Sequence, residues 1–383
     1  MKVILYLYLI MEAAGPHFAL YSFESAKTEF NAFLNIYYPV KIMIPPDAAI
    51  SNLKHVSERS CRFCLRSFPE VSFDKLAHVI PESLGNKHWV SDFECDECNG
   101  KFSRMETDFS GWLGAIKTLA GTRGKNGVPK FKPFNETIEA KKVSFMNTPA
   151  TKVSTGKASE GTIKMDKESG EVVFKFKKDG YTPIKAYKAL LKMALCIINP
   201  EERGHYRPAF DFLEGPDENA IFQLFAKVIC LELPMSHTAA KPYVSLYKKM
   251  DAAAKYPLHY FTLHYEHFIY GFPLPLNLVD YAKGCYANNN IQAIYAPPLM
   301  LWQPDAKDIF FSHTEDFSSS EKRSNEEQTV SFNLSPEHLK KLTAVDPKTG
   351  EMKDGELSGP EIASLLIVSE HITIKKGHIF DLP

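Results

Sequence analysis

A chain of 383 residues with 44% hydrophobic side chains is long enough for two or three domains and fills a substantial core. Its formal charge of −1 excludes a global basic field, so any polyanion contact has to be a local patch. Seven cysteines, scattered unevenly, do not read as a disulfide framework and point to a reducing, cytoplasmic setting. In chain order, residues 1–11 (MKVILYLYLIM) read as a first strand, since the run is β-branched and aromatic and only loosely imitates a leader. No later run approaches the roughly 18 unbroken apolar residues of a spanning helix, so no membrane partner is expected. Residues 1–55 form an N-terminal extension, broken by Pro45-Pro46, in which no chemistry is evident.

From residue 61 the pattern sharpens. Cys61-Arg62-Phe63-Cys64 and Cys95-Asp96-Glu97-Cys98 are two C-x2-C pairs with thirty residues between them. Each pair offers two thiolates from one tight turn, and Zn²⁺ favours four soft ligands in a tetrahedron. A structural zinc site on Cys61, Cys64, Cys95 and Cys98 is therefore expected. Between the pairs, residues 71–80 (VSFDKLAHVI) predict a strand with His78 near its end, stopped by Pro81 and turned at Gly85-Asn86. Residues 88–94 predict a second strand. Phe102, Met105, Phe109, Trp112, Leu113, Ile116 and Leu119 then recur at steps of three and four, which predicts an amphipathic helix. Two strands and a helix pinned by zinc make a ββα unit over residues 56–132. Its last part, residues 117–132, holds Lys117, Arg123, Lys125, Lys130 and Lys132 with three glycines and no acid, a patch suited to phosphates.

Residues 133–383 read as a larger mixed α/β domain, with a role in sensing, targeting or dimerisation. A hairpin is predicted over 162–176, a helix over 184–198 ended by Asn199-Pro200, and a second helix over 218–229. Strands are predicted at 243–247, 259–265, 267–272 and 329–333. Residues 312–328 are polar enough for an exposed loop, and 336–342 predict a short helix. The fold class expected is α+β. Cys196, Cys230 and Cys285 sit in apolar surroundings and read as buried free thiols.

Phosphodiester hydrolysis needs an activated water, charge on the phosphate and stabilisation of the leaving oxygen. A neutral histidine serves as general base near pH 7, and His78 has the type and placement for it. Asn99 follows the second cysteine pair directly, where its amide oxygen suits a hard cation such as Mg²⁺. Glu106 lies two helical turns on and shares that face. His88, His264 and His267 read as packed or solvent-facing, because isolated histidines usually are.

The arrangement C-x2-C, AHVIPE-x-LGN, ECDECN and a trailing acidic-aromatic helix resembles the HNH endonucleases, the zinc-stapled branch of the ββα-metal (His-Me finger) nucleases. The resemblance covers residues 61–132. It implies a divalent-metal-dependent nuclease using Mg²⁺ or Mn²⁺, most often on DNA, here double-stranded. By that resemblance His78 activates water and Asn99 binds the cation, with Glu106 a further candidate ligand. The loop-fixing residue of the family falls near Asp92, with Asn86 as the less favoured substitute. Where many members carry an acidic metal ligand just before the histidine, this chain has Ala77. Family members joined to a larger partner domain often act in bacterial defence against phage or foreign DNA, and a centre that cuts both strands often works as a homodimer. The alternatives are a non-catalytic zinc module binding nucleic acid or protein, and a nuclease acting on RNA.

Overall fold

The computed structural model describes residues 20–48, 53–122, 124, 127–128, 138–145, 148–155, 163–165, 171–218, 224–234, 237–250, 256–286, 295–301, 304, 310–333, 344–345, 352–353 and 364–368. The strand expected at residues 1–11 and the helix expected at 336–342 lie outside them. The described residues fall into two units. One is drawn from Met1–Pro46, Ser60–Arg66 and Tyr187–Ser320, the other from Asp47–Arg59, Ser67–Ala186 and Glu321–Pro383.

The first unit is built on a six-stranded sheet. Its order is β1 (Tyr37–Met43), β9 (Tyr243–Lys249), β10 (His259–Tyr265), β11 (Phe268–Pro273), β8 (Lys227–Glu232) and β12 (Phe311–Asp316). Every pairing is antiparallel. All residues of β10 and β11 are buried. That double-sided burial explains why these segments run almost continuously apolar instead of alternating. One face carries α1 (Lys27–Leu34), whose Phe33 stacks on Tyr37 at 5.0 Å and meets Tyr247 and Tyr260 edge-on. Elsewhere in the unit Tyr187 meets Phe272 with ring centroids 5.3 Å apart. Edge strand β1 holds Pro39 beside a register shift, where a missing N–H costs no ladder bond.

Residues 20–46, within the N-terminal extension in which no chemistry was evident, supply α1 and edge strand β1 to the core. Two segments of this unit differ from the sequence expectations. The helix expected over 218–229 does not extend to its end: residues from Lys227 belong to β8, because the short β-branched run Val228-Ile229-Cys230 fits a buried strand between two neighbours. The exposed loop expected from Ser312 begins instead with β12, an edge strand whose residues mostly alternate between partial and full exposure, so its sequence is polar.

The second unit contains β2 (Ala77–His78) paired with β3 (Val90–Ser91), then α2 (Asp96–Leu113) and the short α3 (Ile116–Leu119). A three-stranded sheet runs β13 (Glu327–Asn333), β7 (Glu171–Lys177), β6 (Ile163–Met165), which places the expected hairpin of residues 162–176 in β6 and β7. Another runs β16 (Ser364–Val368), β5 (Thr148–Thr155), β4 (Ile138–Phe145), and β14 (Ala344–Val345) pairs with β15 (Met352–Lys353). Helix α4 (Pro183–Ile197), which from Tyr187 onward belongs to the first unit, occupies the stretch expected to be helical and opens on proline, which has no N–H to lose there. The strands flanking His78 are only two residues long each, far shorter than expected, because the loop between them is held by a side chain rather than by a ladder.

Helix α2 stops at Gly114 (φ +59°), where Gln328 replaces the missing turn. Its Oε1 accepts from Ala115 N at 3.0 Å and its Nε2 donates to Leu113 O at 3.3 Å. Asp108 accepts from Thr182 N at 2.6 Å further back along the helix. These bonds hold α2 as a fixed rail. Helices and sheets coexist in separate runs, so the fold is α+β. Among the described residues no helix is long and apolar enough to cross a membrane. Two further helices, α5 (Arg207–Glu214) and α6 (Leu278–Ala282), complete the first unit.

Candidate functional site

The cysteines come first. Cys61 N donates to Arg66 O at 2.8 Å and Leu65 N returns to Cys61 O at 2.9 Å, closing a tight turn in which Leu65 adopts φ +64°. Arg203 secures that turn from outside, its Nε donating to Arg62 O at 2.6 Å and its Nη2 to Phe63 O at 2.9 Å. Cys95 is the N-cap of α2 and Cys98 its third residue, where the positive end of the helix favours a thiolate. The four sulfurs of Cys61, Cys64, Cys95 and Cys98 lie within 4.8 Å of one another. A tetrahedral zinc with bonds near 2.3 Å sets its sulfurs about 3.8 Å apart, so the donor set fits structural zinc. Cys196, Cys230 and Cys285 are buried and take no part.

His78 stands on β2 opposite Val90. Ala77, its neighbour on the opposite face of the strand, is buried. The loop from β2 to β3 is organised by Asn86. Its Nδ2 donates to Ile80 O at 2.6 Å and to Trp89 O at 3.0 Å, and its Oδ1 accepts from Trp89 N at 2.9 Å. Asp92, the residue favoured for this task, instead accepts from Lys54 N at 3.1 Å. The reason is chemical: a carboxylate has no donor for the two carbonyls, whereas a carboxamide serves carbonyls and N–H together. Asn86 is fully buried, so Asn86→Ala orphans three backbone groups. It is expected to cost about 2–3 kcal/mol, measured as a fall in the denaturation midpoint with an unchanged slope.

A cavity of about 540 Å³ opens between β2 and α2, and His78, Asn99, Glu106 and Lys117 all line it. Asn99 is the fourth residue of α2 and Glu106 lies seven further on, one above the other on the same face. Lys117 enters from α3. Burial lowers its ammonium to about 8, with Asp179 pulling in the opposite direction. Gly124 and Gly127 also line the cavity and exchange two backbone bonds, at 3.0 and 3.1 Å. Arg123, Lys125, Lys130 and Lys132 lie outside the described residues. Asp92 is not in the lining, and neither is His88. His264 and His267 belong to the other unit, stacked on Tyr243 and packed on Phe268, and burial lowers both to about 3. A turn with Glu266 at φ +54° separates them, so they do not share one strand.

Lining residues that the sequence did not single out include Lys75, Glu82, Ser83 and Ser110. Glu82 follows the strand-ending Pro81 and sits four places after His78, a signal available in the sequence. Lys75 owes its place to Asp96, the first residue of α2. The Asp96 carboxylate accepts from Ser72 Oγ at 2.6 Å, Asp74 N at 3.1 Å and Lys75 N at 2.9 Å. Burial pushes that carboxyl upward, but the Ser72 hydroxyl and the two amides outweigh it and hold it below the usual carboxylate range.

A paired-cysteine cluster, two short strands and a helix around a polar cavity define a zinc-knuckle ββα unit. Residues 61–110 match a family model described as HNH endonuclease. No significant match is found among curated proteins or among solved structures.

Proposed function

We propose that the chain is a divalent-metal-dependent endonuclease that hydrolyses phosphodiester bonds in DNA, with double-stranded DNA its first substrate. The observation that carries this reading is that His78, Asn99 and Glu106, all within the family-matched segment, line one cavity together with Lys117. His78 takes a proton from the attacking water as general base, a task suited to an imidazole. Asn99 and Glu106 offer hard oxygen donors, and no cysteine lines the cavity, so the donor chemistry fits Mg²⁺ or Mn²⁺. When bound, such a cation supplies positive charge to the phosphate and to the departing 3′ oxygen. Asn99 and Glu106 would hold such a cation from the α2 wall of the cavity.

Lys117 holds a phosphate oxygen as an ammonium. Since its free-enzyme value is lowered to about 8, the contact is full below that pH and lost above it. kcat/KM is therefore expected to fall as pH rises through about 8, and Lys117→Arg, charged throughout, should flatten that limb. A limb of the same height in the arginine variant would remove Lys117 from this role. Two centres are needed to cut both strands, so a homodimer is part of the proposal. By analogy with its family the biological setting is defence against phage or foreign DNA. The experiment is a cleavage panel of double-stranded DNA, single-stranded DNA and RNA with Mg²⁺ and Mn²⁺. Cutting of duplex DNA is the expected result; cutting of RNA alone, or binding without cutting, would overturn it.

A further inference from the structure

The cavity has two ends, and each carries a cation. Its α2 wall runs from Asn99 to Ser110, which at 1.5 Å per residue is about 16 Å. Lys75 belongs to the Asn99 end, because its backbone is tied to Asp96 at the start of the helix. Lys117 belongs to the Ser110 end, since α3 follows the end of α2 directly and Ser83, which also lines the cavity, meets Ser110 at 3.3 Å. Along the lining segment His78 falls between Lys75, tied to the start of α2, and Ser83, which meets Ser110. At about 3.4 Å of axis per charge on one strand, such a length accommodates about five phosphates.

Lys75 differs from an ordinary solvated lysine in how its backbone is held. Four hydrogen bonds join residues 72–75 to Asp96: three into the carboxylate and a fourth from Asp96 N to Ser72 O at 3.0 Å. The Lys75 side chain is exposed and flexible, but a fixed backbone fixes where it starts, so its ammonium stays within reach of the same part of the cavity. Glu82 and Glu106 line the same cavity and repel a polyanion, so the two ammonium groups offset a real penalty.

We infer that Lys75 is a substrate-binding residue that grips a phosphate on one side of the scissile bond while Lys117 grips one on the other, so that the cavity takes an internal stretch of a polynucleotide strand and not a strand end or a mononucleotide. This rests on the nuclease reading for the position of the scissile bond between the two lysines.

The test uses the full-length protein and short oligonucleotides in which one phosphate at a time is replaced by an uncharged methylphosphonate. Binding is read without added magnesium, and cutting with it. For the wild type, neutralising one particular phosphate on each side of the cut should weaken binding about tenfold. Lys75→Met should lose the sensitivity on one side only, and Lys117→Met on the other. If Lys75→Met weakens binding equally whichever phosphate is neutral, or leaves it unchanged, the inference falls. Coupling without cutting would overturn the nuclease reading alone. Cutting without coupling would overturn this inference alone.

Discussion

With His78 the proposed general base, His78→Ala is expected to lower the rate of strand cleavage by about 10²–10⁴-fold, the range a positioned general base contributes, while zinc content and melting temperature stay at wild-type values. The separation of effects follows from where the residue stands. His78 is partly exposed on a two-residue strand and lines the cavity, whereas its neighbour Ala77 is buried. Removing the imidazole therefore takes away the proton acceptor without opening the core. The comparison is made by single-turnover cutting at saturating metal, so that a binding defect does not masquerade as a chemical one. A variant that still cuts within a few-fold of wild type would assign the base elsewhere.

Cys95→Ser has the larger effect on stability. Cys95 is fully buried and is the N-cap of α2. Serine is a preferred N-cap, so the helix start survives and the variant isolates the lost thiolate. Zinc binding in such sites is folding free energy, so a missing ligand is expected to destabilise the chain by more than about 4 kcal/mol. Elemental analysis should fall from one zinc per chain to a small fraction, and far-UV circular dichroism should show an early melt. Full zinc with an unchanged melt would contradict the structural role.

The parts of this site that were legible in the sequence are those whose geometry is local. Two C-x2-C turns, an apolar stripe along α2 and the Asn99–Glu106 spacing each follow from a few neighbouring residues, and the sulfur cluster and the shared cavity wall agree with them. Lys75 was not legible, because it depends on a clasp formed with Asp96, twenty-one positions further along the chain. Asn86 was passed over for Asp92 because spacing alone does not say which side chain faces two carbonyls and an amide at once. In the other unit, Val228 to Leu231 could serve a helix or a strand on composition alone; pairing with both β11 and β12 decides for strand. Residues 311–316 look like a loop because an edge strand shows polar side chains to water.

One cavity is lined by the His78 imidazole, the Asn99 carboxamide and the Lys117 ammonium together. The most direct test of the proposed chemistry is to incubate supercoiled plasmid with the purified protein and Mg²⁺, then treat the products with DNA ligase. Nicks or breaks bearing 5′-phosphate and 3′-hydroxyl ends, sealed by ligase and absent with His78→Ala, are the predicted result. Plasmid left intact across Mg²⁺ and Mn²⁺, or cut equally by the His78 variant, would contradict it.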